Sequence, residues 1–180
     1  IVIHASYGNG CKVNDKPLEI PVIKEIDPNA INTLPGSFAS RFKFDNQFSP
    51  RSGESRMGGS IAYEMSLVAL GITEYAVISG SHLWDILAGI VLVNESGGRS
   101  LMQNPSNSLK RDVGVWSEFG AVIESWESGI TKVSDLRREV PPLLLAQSDI
   151  INTLAKSIQL KQNSIKKIAK SIFSQNIISI

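Results

Sequence analysis

The 180-residue chain predicts an α/β layered fold, with part of an antiparallel sheet followed by a mixed sheet flanked by helices. Three observations predict it. Leu83 to Gly98 reads as an apolar helix closed by a Gly-Gly pair, and Ser60 to Gly71 reads as a second helix. Glu74 to Gly80 lies between them as a short strand, so both helix starts point to the same end of a sheet. The opening residues read as short strands about a tight turn at Asn14-Asp15, a pair suited to a two-residue hairpin.

Taken in order, Ile1 to Pro21 is an antiparallel ribbon containing Cys11, the only cysteine, so no disulfide forms within one chain. Glu25-Ile26-Asp27-Pro28-Asn29-Ala30 reads as a turn. Ile31 to Phe38 contains a strand broken by Pro35-Gly36. Residues 40 to 55 read as a polar loop. Its Arg41, Lys43 and Arg51, with Arg56 just beyond, interleave with Phe42, Phe44 and Phe48. Such a mixture can grip a phosphate or a base, but aromatics anchoring a solvated loop to the body are the commoner arrangement.

Gly59 and Ser60 stand at the start of the helix that runs through Met65, Leu67, Val68, Ala69 and Leu70. A helix N-terminus there offers free backbone N–H groups, a small hydroxyl and the positive end of the dipole, a combination that attracts phosphate; it also serves as a simple cap. From Ile86 to Val93 no side chain is polar, so that helix is expected to be buried on every face, with Ala88 and Gly89 admitting a close neighbour. Gly97 and Gly98 supply its left-handed stop. Asp85, in its first turn, suits an N-cap and equally suits a metal ligand.

Arg99 to Met102 should be the next strand, and Asn104 to Asn107 a turn. Residues 109 to 140, with Trp116, Phe119 and Trp126 among Glu118, Glu124 and Glu127, read as a partly exposed decoration; the sharper reading is a subunit contact in a homodimer. After Pro141-Pro142, Leu143 to Ala146 is a buried strand and Ser148 to Leu160 a helix capped by Ser148 or Asp149. Beyond Asp149 there is no acidic residue. Lys156, Lys161, Lys166, Lys167 and Lys170 flank a stripe of Ile165, Ile168, Ile172 and Phe173, a basic amphipathic tail. Three regions follow: 1–21, the ribbon; 22–160, the α/β body; 161–180, the tail.

Lysine plus arginine number 18 against 17 acidic residues, which gives no sign of a nucleic-acid polymer as partner. No apolar run is long enough to span a bilayer and no cleavable leader is evident, so a cytoplasmic protein is expected.

Trp84-Asp85, Ala88-Gly89, Leu92-Val93, Glu95 and Gly97-Gly98 together read W-D-x-x-A-G-x-x-L-V-x-E-x-G-G. This string resembles a carboxy-terminal motif of the inositol monophosphatase family of magnesium-dependent phosphatases. Arg56-Met57-Gly58-Gly59-Ser60-Ile61-Ala62 is similar to that family's R-x-x-G-[ST]-A segment, and Tyr7 to Leu18 to its G-x-G-A-x-x-N-G-x-P-[IL] hairpin. The likeness covers roughly residues 1 to 125. It departs at Leu87 and Ser96, which are packing changes, and at Asp15, where Gly is usual.

The resemblance implies a partial sugar-phosphatase-like fold, with Asp85 as a magnesium ligand and Gly59 and Ser60 orienting a small phosphorylated metabolite. It assigns no catalytic residue, and none to His82, which sits where many members have histidine. The position matching Ile78 carries, in inositol-selective members, a Glu that holds substrate hydroxyls; Ile accepts no such bonds, so the substrate is left open. The family's Glu-Glu pair and D-P-x-D-G-T segment, which supply most metal ligands, are absent. The chain is therefore expected to be the carboxy-terminal part of a longer phosphatase, inactive alone. The alternatives are a nucleotide or fructose bisphosphate phosphatase, and a non-catalytic phosphate-binding module that keeps the fold.

Overall fold

The computed structural model describes residues 1–104, 116–120 and 132–161. Strands β1 (Ile3–Ala5), β2 (Cys11–Val13) and β3 (Lys16–Pro17) come first. They are followed by β4 (Ile31–Thr33), a helical turn α1 (Phe38–Arg41), β5 (Phe42–Phe44), a 3-10 turn (Ser49–Arg51) and β6 (Glu54–Arg56). Next are helix α2 (Ile61–Ala69), β7 (Tyr75–Ile78), β8 (Ser81–His82), helix α3 (Leu83–Glu95), β9 (Gly98–Gln103) and β10 (Trp116–Glu118). Helix α4 (Val133–Leu136), β11 (Glu139–Val140), β12 (Leu143–Gln147), helix α5 (Ser148–Ser157) and β13 (Ile158–Leu160) complete the order.

The frame is a six-stranded mixed sheet ordered β10-β9-β12-β7-β4-β6. β4 runs parallel to both β6 and β7, whereas β12 is antiparallel to β7 and β9. β12 explains why its sequence is one apolar run: strands covered on both faces lose the polar alternation of a half-exposed strand. Leu143 and Leu145 join Ala76 and Ile78 of β7 under α2 and α3, while Leu144 and Ala146 join Tyr75 and Val77 on the face covered by α5. A separate antiparallel sheet, β1-β2-β3, turns at Asn14 and Asp15 with φ of 47° and 65°. This is the two-residue hairpin expected of that pair.

Helix α3 departs from the sequence expectation. Leu83, Ile86, Gly89, Ile90 and Val93 form one buried stripe, but Ala88 is exposed and Trp84 and Val91 are 46% and 37% exposed. A helix lying on a sheet and one neighbouring helix needs only one covered face, so its uniformly apolar composition overstated its burial. The close approach falls at Gly89 alone. A Cβ there would stand 2.5 Å from Met65 Sδ and 2.8 Å from Met65 Cβ, so α2 presses directly on bare backbone. Gly97, with φ of 91°, ends the helix as expected.

Three further expectations are corrected. Residues 40 to 55 are not simply a loop: Phe42–Phe44 pairs antiparallel with Ile158–Leu160, and Glu54–Arg56 forms the sheet edge. For the same reason the last helix stops at Ser157, because Ile158 gains a strand partner, Phe44, that local sequence does not reveal. Its N-cap is Gln147 rather than Ser148 or Asp149, and Ser148 Oγ donates instead to the Gly97 carbonyl at 2.7 Å. The strand Ile31–Thr33 does end before Pro35-Gly36, as expected, and the chain then turns into α1 at Phe38.

The aromatics of residues 40 to 55 do anchor that region. Phe38, Phe42 and Phe48 are buried with Trp116, whose ring stacks on Phe42 at 5.6 Å between centroids. Trp116 is thus taken up within the chain. Trp126 and most of the 161–180 tail lie outside the described residues. No helix among the described residues is long and apolar enough to cross a membrane.

Candidate functional site

Because β4, β6 and β7 are parallel, Thr33, Arg56 and Ile78 end at the same edge of the sheet. The chain leaves that edge three times. Pro35 follows β4, Met57 to Ile61 follow β6, and Ser79 follows β7. These segments enclose a cleft of about 190 Å³ lined by Pro35, Met57, Gly59, Ser60, Ile61, Glu64, Val77, Ile78 and Ser79. Open α/β sheets bind ligands outside the carboxyl ends of their strands, and the start of α2 faces that position.

Gly59 and Ser60 are therefore brought together in a cleft. Gly59 has φ of 74°, a left-handed conformation that glycine tolerates. Ser60 is the extended N-cap of α2, exposed, and its hydroxyl caps no amide of its own helix. Near the mouth, Ser37 Oγ and Ser79 Oγ share a hydrogen bond of 3.1 Å. Ile78, only 2% exposed, contributes an apolar wall that accepts no hydrogen bond from a ligand hydroxyl.

Glu64 was not singled out from the sequence, yet it organises this turn. It is 7% exposed, and its Oε1 accepts the N–H of Gly58 at 2.7 Å and of Gly59 at 3.0 Å. Two amides that a phosphate would seek are thus already held by a carboxylate within the first turn of α2. The available signal was an acidic residue in a helix's first turn just after two glycines, a position where it meets free N–H groups.

Asp85 does not line this cleft. It is the third residue of α3, and its Oδ2 accepts the backbone N–H of His82 at 2.9 Å, a capping-box bond that ties down the helix start. His82 Nδ1 lies 3.6 Å from the same oxygen. The carboxylate remains 35% exposed. Magnesium requires an octahedral shell of oxygens. Among the described residues no group of three or more His, Cys, Asp or Glu is placed to hold a cation. One partly occupied carboxylate does not make a complete magnesium site, so the described residues by themselves do not fit the ion.

Glu95, the other acidic residue of the α3 motif, takes the N–H of Gly8 on Oε1 and of Gly10 on Oε2, each at 2.8 Å. It fastens the β1–β2 loop to the far end of α3 from Asp85. Its part in the motif is structural.

Fold and cleft thus define a mixed α/β protein with a small polar cleft at the carboxyl ends of its parallel strands. The model of the inositol monophosphatase family matches residues 1–138, and the chain belongs to that family. It is 28% identical over 102 residues to Nus factor SuhB of Xylella fastidiosa, covering 52% of this chain and 36% of that protein. It is 37% identical over 65 residues to a probable inositol 1-monophosphatase, ImpA, of Mycobacterium tuberculosis, covering 35% of this chain and 24% of the relative. Among solved structures, Staphylococcal IMPase-II matches with a TM-score of 0.60 at 15% identity, over 96% of this chain and 57% of that one. The inositol monophosphatase of Anabaena (Nostoc) matches with a TM-score of 0.55 at 18% identity, over 86% and 55%. These likenesses establish the fold. The chain spans little more than half the length of those structures, and less of the curated relatives.

Proposed function

We propose that this chain supplies the substrate-side cleft of a phosphatase acting on a phosphate monoester of a small metabolite, in the cytoplasm. The observation that carries the reading is the convergence of Gly59, Ser60 and Ile78 in one cleft at the carboxyl ends of β4, β6 and β7. In it the Ser60 hydroxyl and the first free amides of α2 orient the phosphate. Ile78 selects against strict inositol recognition and leaves other sugar phosphates and nucleotide phosphates. Staphylococcal IMPase-II, a fold neighbour, has been solved with 2′AMP and with inositol monophosphate bound.

Asp85 is proposed as one ligand of a magnesium ion, bound at the carboxylate surface that His82 leaves open. The remaining ligands come from outside the described residues, so the chain measured alone is expected to release no phosphate. The decisive measurement is orthophosphate release with magnesium and a panel of sugar and nucleotide phosphates. It is made on this chain and on any longer form that carries additional acidic ligands. Robust turnover by this chain alone overturns the split-site reading. In the longer form, Asp85→Asn should lower both magnesium affinity and rate; an unchanged rate leaves Asp85 as a cap only, since an Asn Oδ1 can still accept the His82 N–H.

A second reading, a non-catalytic phosphate-binding module, is favoured by one observation: Asp85 Oδ2 already accepts the His82 N–H as a helix-capping bond. It predicts saturable binding of phosphate monoesters with no turnover in any form of the protein.

A further inference from the structure

On the opposite face of the six-stranded sheet from α2 and α3 lies a second concavity, of about 210 Å³, lined by Lys24, Glu25, Ile26, Phe48, Arg51, Ile150 and Thr153. It shares no residue with the cleft at Ser60. Three separate segments meet there. The strap before β4 brings Lys24 to Ile26, the 3-10 turn brings Phe48 and Arg51, and the first half of α5 brings Ile150 and Thr153. The strap is held in place by Ile23 N–H donating to Gln147 Oε1 at 3.3 Å and by Asp27 N–H donating to both Glu74 oxygens at 3.2 Å.

The floor is apolar and packed: Ile26, Phe48 and Ile150 belong to the core, and Phe48 is braced by Phe44 at 5.2 Å between ring centroids. The rim carries two cations, Lys24 and Arg51, and among the described residues neither forms an ion pair within 4.0 Å, not even with Glu25. Lys24 and Arg51 outweigh the single carboxylate of Glu25, and in a concavity with an apolar floor they attract an anion more strongly than the same charges do on a flat surface. A guanidinium fork suits two phosphate oxygens, an ammonium supplies a point charge, and the Thr153 hydroxyl donates a third bond. Glu25 accepts only, so it favours a ligand that also presents a hydroxyl. The volume is below that of drug-sized pockets, so the ligand is small.

We propose that this concavity is a second binding site, for a small hydroxylated phosphate monoester whose phosphate rests on Lys24 and Arg51 and whose organic body lies on Phe48. The site is independent of Asp85, of Ser60 and of the activity proposed above.

The probe is phenylphosphonate, a dianion with a planar apolar body that a phosphatase does not hydrolyse, compared with inorganic phosphate in a nuclear magnetic resonance titration of the whole chain. Expected are saturable amide shifts at Lys24, Arg51 and Thr153, tighter for phenylphosphonate than for phosphate. The Lys24→Ala/Arg51→Ala pair should weaken them about tenfold or more, while Ser60→Ala leaves them unchanged. Both cations are exposed, so the double variant should melt with the parent, which separates lost binding from lost folding. The proposal is overturned by shifts that do not saturate up to about 20 mM probe, by shifts confined to residues 58–63, or by affinity that survives the double substitution.

Discussion

Glu95 and Gly8 are separated by 87 residues and joined at 2.8 Å, with the Gly10 amide on the second carboxylate oxygen. A carboxylate accepts two N–H groups at once, and each bond favours its charged form. The Gly8 bond and then the Gly10 bond hold the Glu95 carboxyl below the ordinary 4.5, with slight desolvation opposing them. A lowered folded-state value means the contribution is complete above pH 4.5 and is lost as the pH falls through the folded value. The Gly8 and Gly10 amide resonances should therefore titrate together with a midpoint below 4.5. A midpoint at or above that value sinks the clamp.

Glu95→Gln should release the same loop at neutral pH. The amide oxygen can still accept one N–H, but its NH₂ faces the other donor. Amide exchange at Gly8 and Gly10 should accelerate, while β12 amides, at the sheet centre, exchange as before.

Glu64→Ala should loosen the turn on which Gly59 and Ser60 depend. Two N–H groups lose a charged acceptor, a change worth about 1–3 kcal/mol where water replaces it imperfectly. Urea denaturation measures the loss. Phosphate binding at the Ser60 cleft is the more telling readout, because freeing the Gly58 and Gly59 amides from a carboxylate removes a competitor for the anion. Tighter phosphate binding with lower stability is the expected pair of results.

Gly89→Ala should destabilise by about 1–3 kcal/mol through overpacking. The added carbon meets Met65 Cβ, which cannot swing aside, as well as the more yielding sulfur. In a double-mutant cycle with Met65→Ala the combined loss should be smaller than the sum of the two single losses, because truncation removes the sulfur and terminal methyl that the new carbon meets, although Cβ stays. If Gly89→Ala alone leaves the denaturation midpoint unchanged, the close contact between α2 and α3 is not as drawn.

Leu144→Ala tests the face of β12 under α5. Leu144 is fully buried among Val77, Ile151 and Leu154, so a cost of about 2–5 kcal/mol is expected. A cost well under 1 kcal/mol by the same denaturation measurement would remove β12 from the centre of the sheet.

The sequence by itself determined the order of α2, β7, α3 and β9, the hairpin at Asn14-Asp15, the burial of Leu143 to Ala146 and the pairing of Gly59 with Ser60 at a helix start. All of these are local: period, turn chemistry and capping act within a few residues. Only the tertiary structure decided that Ile158–Leu160 leaves the helix to pair with Phe42–Phe44, that α3 hides one face rather than all, and that Glu64 and Glu95 spend their charge on glycine amides. Those outcomes depend on partners brought near by folding, and an uncompensated backbone N–H or carboxylate takes whichever partner the fold presents. The same holds for Lys24 and Arg51, which are 27 residues apart in sequence and meet only because the strap and the 3-10 turn both pack against α5.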